Sequence, residues 1–94
     1  MTRSYPMTAE QFAKIRESMV AVAAELNAGR TSQEVAEKYG VSIRSVRTQF
    51  ILWSREQQAL GLLKDGHDPV FVAAVTRLNI VRVRNLQRFG GGGA

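Results

Sequence analysis

The chain has 94 residues, no cysteine, one histidine and a formal net charge of +5. This length fits one small domain, and the absence of cysteine excludes disulfides and thiolate metal sites. No apolar run approaches the roughly 20 residues that cross a bilayer, and the first residues lack the apolar segment of a signal peptide. We therefore expect a cytoplasmic protein without a membrane partner.

The positive charge is concentrated in the second part of the chain. Residues 1–41 carry five cationic and five acidic side chains, whereas residues 42–94 carry eight cationic and three acidic ones. Seven of those eight cations are arginine, whose planar guanidinium binds phosphates and guanine edges. This distribution favours a nucleic-acid partner, and a solvated basic surface is the simpler alternative.

The first predicted helix begins at a capping box, Thr8-Ala9-Glu10-Gln11. Apolar residues then recur at spacings of three and four and define one stripe: Phe12, Ile15, Met19, Val22 and Leu26. Gly29 is a natural stop after this stripe. The pattern predicts a helix over residues 8–27.

Two further helices are predicted before the next firm turn, Asp65-Gly66. A second capping box, Thr31-Ser32-Gln33-Glu34, opens a short helix that ends at Gly40. Its expected buried residues are Val35, Ala36 and Tyr39. Ser42 then caps a long third helix. The apolar stripe expected for this helix consists of Ile43, Val46, Phe50, Trp53 and Leu60.

An internal repeat at an offset of 37 residues links the two parts of the chain. Residues 26–50 align without gaps over residues 63–87, and seven of the 25 aligned pairs are identical. Asp68 takes the capping position of Thr31, and Asn79 that of Ser42. One long helix would then belong to both units, which are expected to share a core around Trp53 and Leu60.

Two features of the second unit leave its structure open. Arg77 stands where the first unit has Gly40, and a non-glycine residue in a left-handed turn is strained, so we expect a wider or different turn there. The alternation over residues 80–84 also fits a strand, as in the wing of a winged helix. The repeat and the preceding Asn79 favour a helix.

Residues 31–53 have the pattern of a helix-turn-helix. Ala36 supplies the small contact between the helices, Gly40 the turn and Val46 the apolar anchor of the second helix. In the segment GVSIRSVR the arginines alternate with apolar residues because one helix must pack inward and contact DNA outward. The pattern therefore predicts double-stranded DNA as the partner.

The stretch TSQEVAEKYGVSIRSVRTQF resembles the helix-turn-helix shared by many bacterial DNA-binding regulators. With MTAEQF ahead of it in a short basic chain, the context is similar to plasmid-encoded KorA/TrfB-type repressors and to the DNA-binding region of StbA-type plasmid-stability proteins. The resemblance implies binding to short operator repeats and repression of plasmid operons. For the StbA type it also implies a role in plasmid segregation.

The expected DNA contacts form two groups. Base reading in the major groove is assigned to Arg44, Ser45, Arg47 and Thr48 of the first unit and to Arg82, Arg84 and Asn85 of the second. Phosphate binding is assigned to Thr31, Ser32, Gln33, Ser42, Arg55, His67, Asn79 and Arg88. Alternatively, the arginines of the second unit only neutralise phosphates, and Arg55 and His67 are only solvated. Trp53 is expected in the core rather than stacked on a base.

Residues 1–89 are thus predicted to form one DNA-binding domain, a compact all-α bundle of about five helices. It contains two tandem helix-turn-helix units, at about 31–53 and 68–89, that share a long central helix, and residues 90–94 are a flexible linker or tail. No carboxylate pair, nucleophile–base pattern or phosphate loop occurs, so we expect no enzyme, cofactor, metal or small-molecule substrate. Binding is expected as a homodimer or side by side on repeated sites.

Two other functions fit parts of the pattern. The DNA-end-binding region of a transposase or recombinase also uses paired helix-turn-helix units. A helical protein-interaction module with a basic face would bind an acidic partner instead, and it would show no sequence dependence in binding DNA.

Overall fold

Five α-helices and a π-helical turn make up residues 8–90, the part of the chain that the computed structural model describes. They are α1 (Ala9–Asn27), α2 (Ser32–Tyr39), α3 (Ile43–Lys64), α4 (Pro69–Thr76), α5 (Ile80–Asn85) and the π turn Leu86–Gly90 that continues α5. The predicted all-α bundle is confirmed, and a helix rather than a wing strand occupies residues 80–84. Of the predicted tail, residues 90–94, Gly90 is the last residue of the π turn, and residues 91–94 lie outside the described residues.

The predicted capping residues begin the helices. The Thr8 hydroxyl accepts a hydrogen bond from the Gln11 N–H at 3.1 Å, and the Gln11 side chain accepts one from the Thr8 N–H at 3.0 Å. The remaining helices are capped by Thr31, Ser42, Asp68 and Asn79. Each of these bonds joins residues two or three positions apart, which is why the local sequence was sufficient to predict them.

The 37-residue repeat of the sequence is also a repeat of the backbone. The helices α2 and α4 begin at residues 32 and 69, α3 and α5 begin at 43 and 80, and α1 and α3 end at 27 and 64. Helices α1, α2 and α3 therefore form a first unit, and α3, α4 and α5 form a second. As predicted, α3 belongs to both. At 22 residues it is about 33 Å long.

The central residues of the two turns have the same backbone conformation, although a different geometry was expected for the second. Gly40 has φ 66° and ψ 35°, and Arg77 has φ 61° and ψ 29°. Arg77 thus adopts the left-handed conformation itself. Packing on both sides of the turn fixes this geometry, because Val72 and Val83 are fully buried and hold α4 against α5.

The core of the described residues divides into two clusters. The first unit packs Val22, Val35, Ala36 and Val46 together, with Leu26 beside them. The second cluster joins residues of the second unit to Phe12 of α1: it contains Phe12, Ala59, Val72, Leu78, Val83 and Leu86, with Leu60 among the flanking residues. The single core that the two units were expected to share around Trp53 therefore does not form, and neither cluster contains Trp53. Trp53 is half-buried and stacks on Phe50, with ring centroids 5.8 Å apart.

Three residues that were predicted to be buried are exposed: Ile15 (62%), Tyr39 (40%) and Ile43 (39%). For Ile15 the cause is its neighbour. Arg16 turns inward at this level of α1 to form an ion pair with a buried carboxylate, while Phe12, Met19 and Val22 of the predicted stripe remain buried. Ile43 is the first residue of α3, where the helix has only begun to meet the bundle.

Candidate nucleic-acid interface

The start of α3 is held rigidly against α2. The Val41 N–H donates to the Ala36 carbonyl at 3.0 Å across the left-handed turn at Gly40. Val35 of α2 and Val46 of α3 are fully buried and belong to the same apolar cluster. The first turns of α3 consequently have a fixed inward side, and their outer side is available for contacts with another molecule.

The outer side of α3 carries the predicted base-reading residues of the first unit. Arg44, Arg47 and Thr48 are exposed, and within residues 8–90 neither guanidinium takes part in an ion pair. Ser45 is half-buried, and its hydroxyl accepts a hydrogen bond from the Gln49 side chain at 3.1 Å. Two free arginines and a threonine therefore project from the beginning of the helix.

The second unit presents a different set of side chains at the same positions. Val81, which is 65% exposed, takes the place of Arg44. Arg84 is exposed at the position of Arg47, and Asn85 is half-buried at the position of Thr48. Further along, Arg88 is exposed, and its guanidinium lies 5.4 Å from the centroid of the Phe89 ring.

Arg82, which was predicted to read a base, differs from Arg44 and Arg47 because it takes part in an ion pair. Its guanidinium Nη1 lies 2.5 Å from Oε2 of Glu56, a residue of α3 that is fully buried. The other carboxylate oxygen, Oε1, lies 2.7 Å from Nη2 of Arg16 on α1. A buried carboxylate needs such partners because desolvated charge is costly. Arg82 is thus half-buried and ion-paired, and the sequence pattern gave no indication of this contact.

The starts of α3 and α5, which carry the two sets of exposed residues, are both anchored to the same turn of α1. Ser18 donates a hydrogen bond to Oε1 of Gln49, in the second turn of α3, at 3.0 Å. Two residues earlier, Arg16 is joined to Arg82 of α5 through Glu56. A shallow groove between α1 and the beginning of α5 is lined by Phe12, Ile15, Arg16, Asn79, Val81, Arg82 and Asn85. The two sets of exposed residues are therefore held by one short stretch of the bundle.

Most of the residues predicted to bind phosphate are exposed, and half of them lie in the connections between helices. Exposed members are Thr31, Gln33, Ser42, His67, Asn79 and Arg88, and half-buried members are Ser32 and Arg55. The hydroxyls of Thr31 and Ser42 and the amide oxygen of Asn79 accept hydrogen bonds from their own helices as caps. The His67 ring stacks on Phe71, with centroids 5.1 Å apart.

Acidic side chains on the outer side of α1 and α2 form ion pairs and hydrogen bonds with neighbouring residues. Glu25 forms ion pairs with Lys38 and, at 2.9 Å, with Arg30. The hydrogen bond from Lys38 lowers the pKa of the Glu25 carboxyl and raises the pKa of Lys38. Hydrogen bonds from Thr31 likewise lower the pKa of the Glu34 carboxyl. Both carboxylates are ionised at neutral pH; Glu25 is ion-paired, and Glu34 accepts a capping hydrogen bond from the Thr31 N–H.

Two residues that bear on the candidate interface were missing from the predicted set. Glu56, fully buried, supports the interface from within, and it lies three residues before the buried Ala59 on the inward side of α3. Val81 is exposed on α5 but was not among the predicted base-reading residues. Alignment with Arg44 at the 37-residue offset is the signal that singles it out.

Comparisons of this chain with protein-family models, with curated proteins and with solved structures found no significant match. None of the helices between residues 8 and 90 has the length and apolar content that crossing a membrane requires.

Proposed function

We propose that this protein binds double-stranded DNA in a sequence-specific manner and acts as a transcriptional repressor, a plasmid segregation factor or both, on short operator repeats. The observation that supports this best is the exposure of Arg44 and Arg47 on a helix that is fixed by the buried Val46. A rigid helix with free guanidiniums on its outer side suits insertion into the major groove. The resemblance to KorA/TrfB-type and StbA-type proteins supports the biological role.

The first unit is suited to guanine. A guanidinium donates two parallel hydrogen bonds to O6 and N7 of guanine, and the major groove exposes both acceptors. Arg44 and Arg47 lie three residues apart, so they project from nearly the same side of α3. Thr48 adjoins them and can contact the thymine methyl group or a base edge.

The second unit is suited to a different sequence. Val81 offers only an aliphatic surface, and the group that such a side chain meets favourably in the major groove is the thymine methyl. Asn85 has the bidentate amide that pairs with adenine, and Arg84 can bind guanine or a phosphate. We therefore expect the two units to prefer different bases, with thymine and adenine more prominent under the second.

The common anchoring on α1 favours one contiguous DNA site for the two units of a chain. Thr31, Ser42 and Asn79, at the starts of three helices, have backbone N–H groups nearby that are suited to phosphate oxygens. Arg55, half-buried in α3, retains its proposed role as a phosphate contact.

Selection from a random duplex pool, followed by affinity measurements, tests this proposal. The enriched sites should contain guanine under the first unit. Arg44→Ala should lower affinity for the selected duplex by about tenfold, the loss expected for one bidentate contact, and should change affinity for a random duplex much less. Lys64→Ala is the matched control. It removes one exposed cation from the same helix, about 30 Å from Arg44 along the axis.

Three results would contradict parts of the proposal. If the selection enriches no sequence, the helical interaction module with an acidic partner replaces DNA binding. If Arg44→Ala weakens selected and random duplexes equally, Arg44 binds phosphate and not a base. If the enriched sites coincide with the ends of a mobile element, the end-binding region of a transposase or recombinase becomes the better description.

A further inference from the structure

The shallow groove between α1 and the beginning of α5 is cationic. Two of its lining residues, Arg16 and Arg82, are arginines, and none of them is acidic. Glu56, the carboxylate that joins the two arginines, is fully buried and does not line the groove. Two cations and one anion leave a net charge of +1. The groove itself presents only the guanidiniums.

Both guanidiniums keep N–H groups that Glu56 does not use. Arg16 contacts Oε1 of Glu56 through Nε and Nη2, and Arg82 contacts Oε2 through Nη1. Within residues 8–90, Nη1 of Arg16 and Nε and Nη2 of Arg82 have no hydrogen-bond partner. These nitrogens reach the surface, because no buried side-chain nitrogen in the described part of the chain lacks a partner. They are therefore available to a ligand in the groove.

The donors of the groove are already held in place. The Arg16 guanidinium lies 5.1 Å from the centroid of the Phe12 ring, which is buried and fixes the position of the charge. The side-chain oxygen of Asn79 caps α5, and Asn79 also lines the groove. Because these side chains are ordered in the free chain, little entropy is lost when they bind an anion.

The first unit shows that the fold does not require this arrangement. At the 37-residue offset, Met19 takes the place of Glu56, and Ser45 takes the place of Arg82. Met19 is buried, so an apolar side chain fills the position of the carboxylate. Replacing a buried ion pair by apolar side chains is often neutral or stabilising. Stability alone therefore does not account for the two arginines.

We propose that the groove binds one phosphate group of the DNA backbone through the free N–H groups of Arg16 and Arg82. Guanidinium groups donate strong, charge-assisted hydrogen bonds to phosphate oxygens. The groove has a volume of about 150 Å³, which suits one such group and not a drug-sized molecule, whose pockets span roughly 300–1,000 Å³. The choice of DNA as the source of the phosphate rests on the proposed function. Arg82 then contacts a phosphate, where the sequence predicted a base.

The position of the groove beside α5 favours a backbone phosphate. Val81 and Asn85 line the groove, and they stand at the positions equivalent to Arg44 and Thr48. A helix with its side chains is about 10–12 Å across and the major groove is about 12 Å wide, so a helix in that groove has a DNA backbone on either side. A groove along one side of α5 consequently faces one backbone. Through Arg16, α1 joins the DNA interface.

Titration of the free chain with inorganic phosphate tests the site without DNA. The side-chain Nε–H signals of Arg16 and Arg82 should shift in NMR spectra and reach saturation, and chloride of equal ionic strength should leave them unchanged. Arg77 is exposed and does not line the groove, so it is the internal control and should show no saturable shift.

Duplexes that carry one neutral methylphosphonate, placed at each position in turn, identify the source of the phosphate. One position beside the bases contacted by α5 should lower the affinity of the wild-type chain by about tenfold, the loss expected for a charge-assisted hydrogen bond. Arg16→Gln should bind the unmodified duplex about tenfold more weakly and should be insensitive to that position. Lys14→Gln removes an exposed cation from α1 outside the groove and should keep the sensitivity.

A second substitution separates phosphate binding from a structural role. Arg16→Gln leaves Arg82 and Glu56 with no net charge, and Arg16→Gln/Glu56→Gln restores +1 by removing the carboxylate. The double variant should therefore recover part of the affinity that Arg16→Gln loses. If the three residues only held the helices together, removal of a second ionic partner would bring no recovery. Circular dichroism checks that each variant is folded.

The phosphate titration needs no variant, so it decides the inference even if the substitutions unfold the chain. Absence of a saturable shift at Arg16 and Arg82 would overturn the site, and the proposed function would stand if the chain still selects a DNA sequence. Saturable phosphate binding without an Arg16-dependent position in the duplex would overturn the assignment to DNA in favour of a free anion. A chain that binds phosphate but selects no sequence would overturn that assignment together with the proposed function.

Discussion

Exchange of the residues at the two left-handed turns should change stability in opposite directions. Gly40 and Arg77 have nearly the same backbone angles, but only glycine adopts them without strain. A Cβ atom built on Gly40 meets no atom within 4 Å. The loss of stability in Gly40→Ala therefore comes from the backbone conformation alone, and most of the stability gained in Arg77→Gly has the same origin.

The size of both effects follows from two opposing quantities. The left-handed conformation costs an L-residue roughly 1–2 kcal/mol. Glycine loses more unfolded-state entropy on folding, which offsets about 0.4–1 kcal/mol of that difference. We expect Gly40→Ala to lower the free energy of unfolding by about 1 kcal/mol and Arg77→Gly to raise it by a similar amount. For a domain of this size, 1 kcal/mol corresponds to a Tm shift of about 4–8 °C.

Urea unfolding and thermal melts, followed by helical circular dichroism, measure these changes. Arg77→Ala is the control for charge, since it removes the guanidinium but keeps a side chain in the left-handed turn. Its stability should stay within about 0.5 kcal/mol of the wild type. If Arg77→Gly is no more stable than Arg77→Ala, the turn is not strained and the reasoning is refuted. An unchanged midpoint for Gly40→Ala would refute it equally.

Two further predictions concern the charged groups. Glu56→Gln leaves Arg16 and Arg82 facing a neutral amide and should destabilise the protein by about 3 kcal/mol. This is the lower end of the range for a broken buried ion pair, because the Arg82 side chain is 34% exposed. An unchanged urea midpoint would show that the carboxylate contributes nothing to stability. Because Lys38 lowers the pKa of Glu25, the stability from this pair is complete above the ordinary carboxyl pKa of about 4.3 and is lost as the pH falls through the lowered value. Urea midpoints between neutral and acidic pH should therefore fall less steeply for Glu25→Gln than for the wild type, and parallel curves would contradict the assignment.

Local signals were sufficient to predict most of the fold. Capping side chains act over two or three residues, so the five helix starts follow from the sequence around each of them. The repeat extended this reasoning to the second unit, where Asn79 and the aligned Val83 predicted a helix against the alternating pattern of residues 80–84. The shared helix α3 followed from the 37-residue offset alone.

The errors came from contacts between residues far apart in the sequence. Glu56 lies 40 residues from Arg16 and 26 from Arg82, and no local pattern pairs them. The ion pairs of Glu56 hold Arg16 and Arg82, a role that the sequence did not predict for either arginine. The left-handed Arg77 was misjudged for a related reason, since tertiary packing overrides the preference of a single residue.

The use of α3 by two successive units has a consequence for protein engineering. Each unit adds only a connecting turn, a short helix and one new long helix, so the whole motif is extended by 37 residues at a time. Duplicating residues 28–64 in frame would place a further copy of α3 after the original, with its own short helix between them. The protein is in this sense a short segment of a helical array that lengthens by insertion, and each added segment would bring one more helix equivalent to α3 at a fixed step from the last.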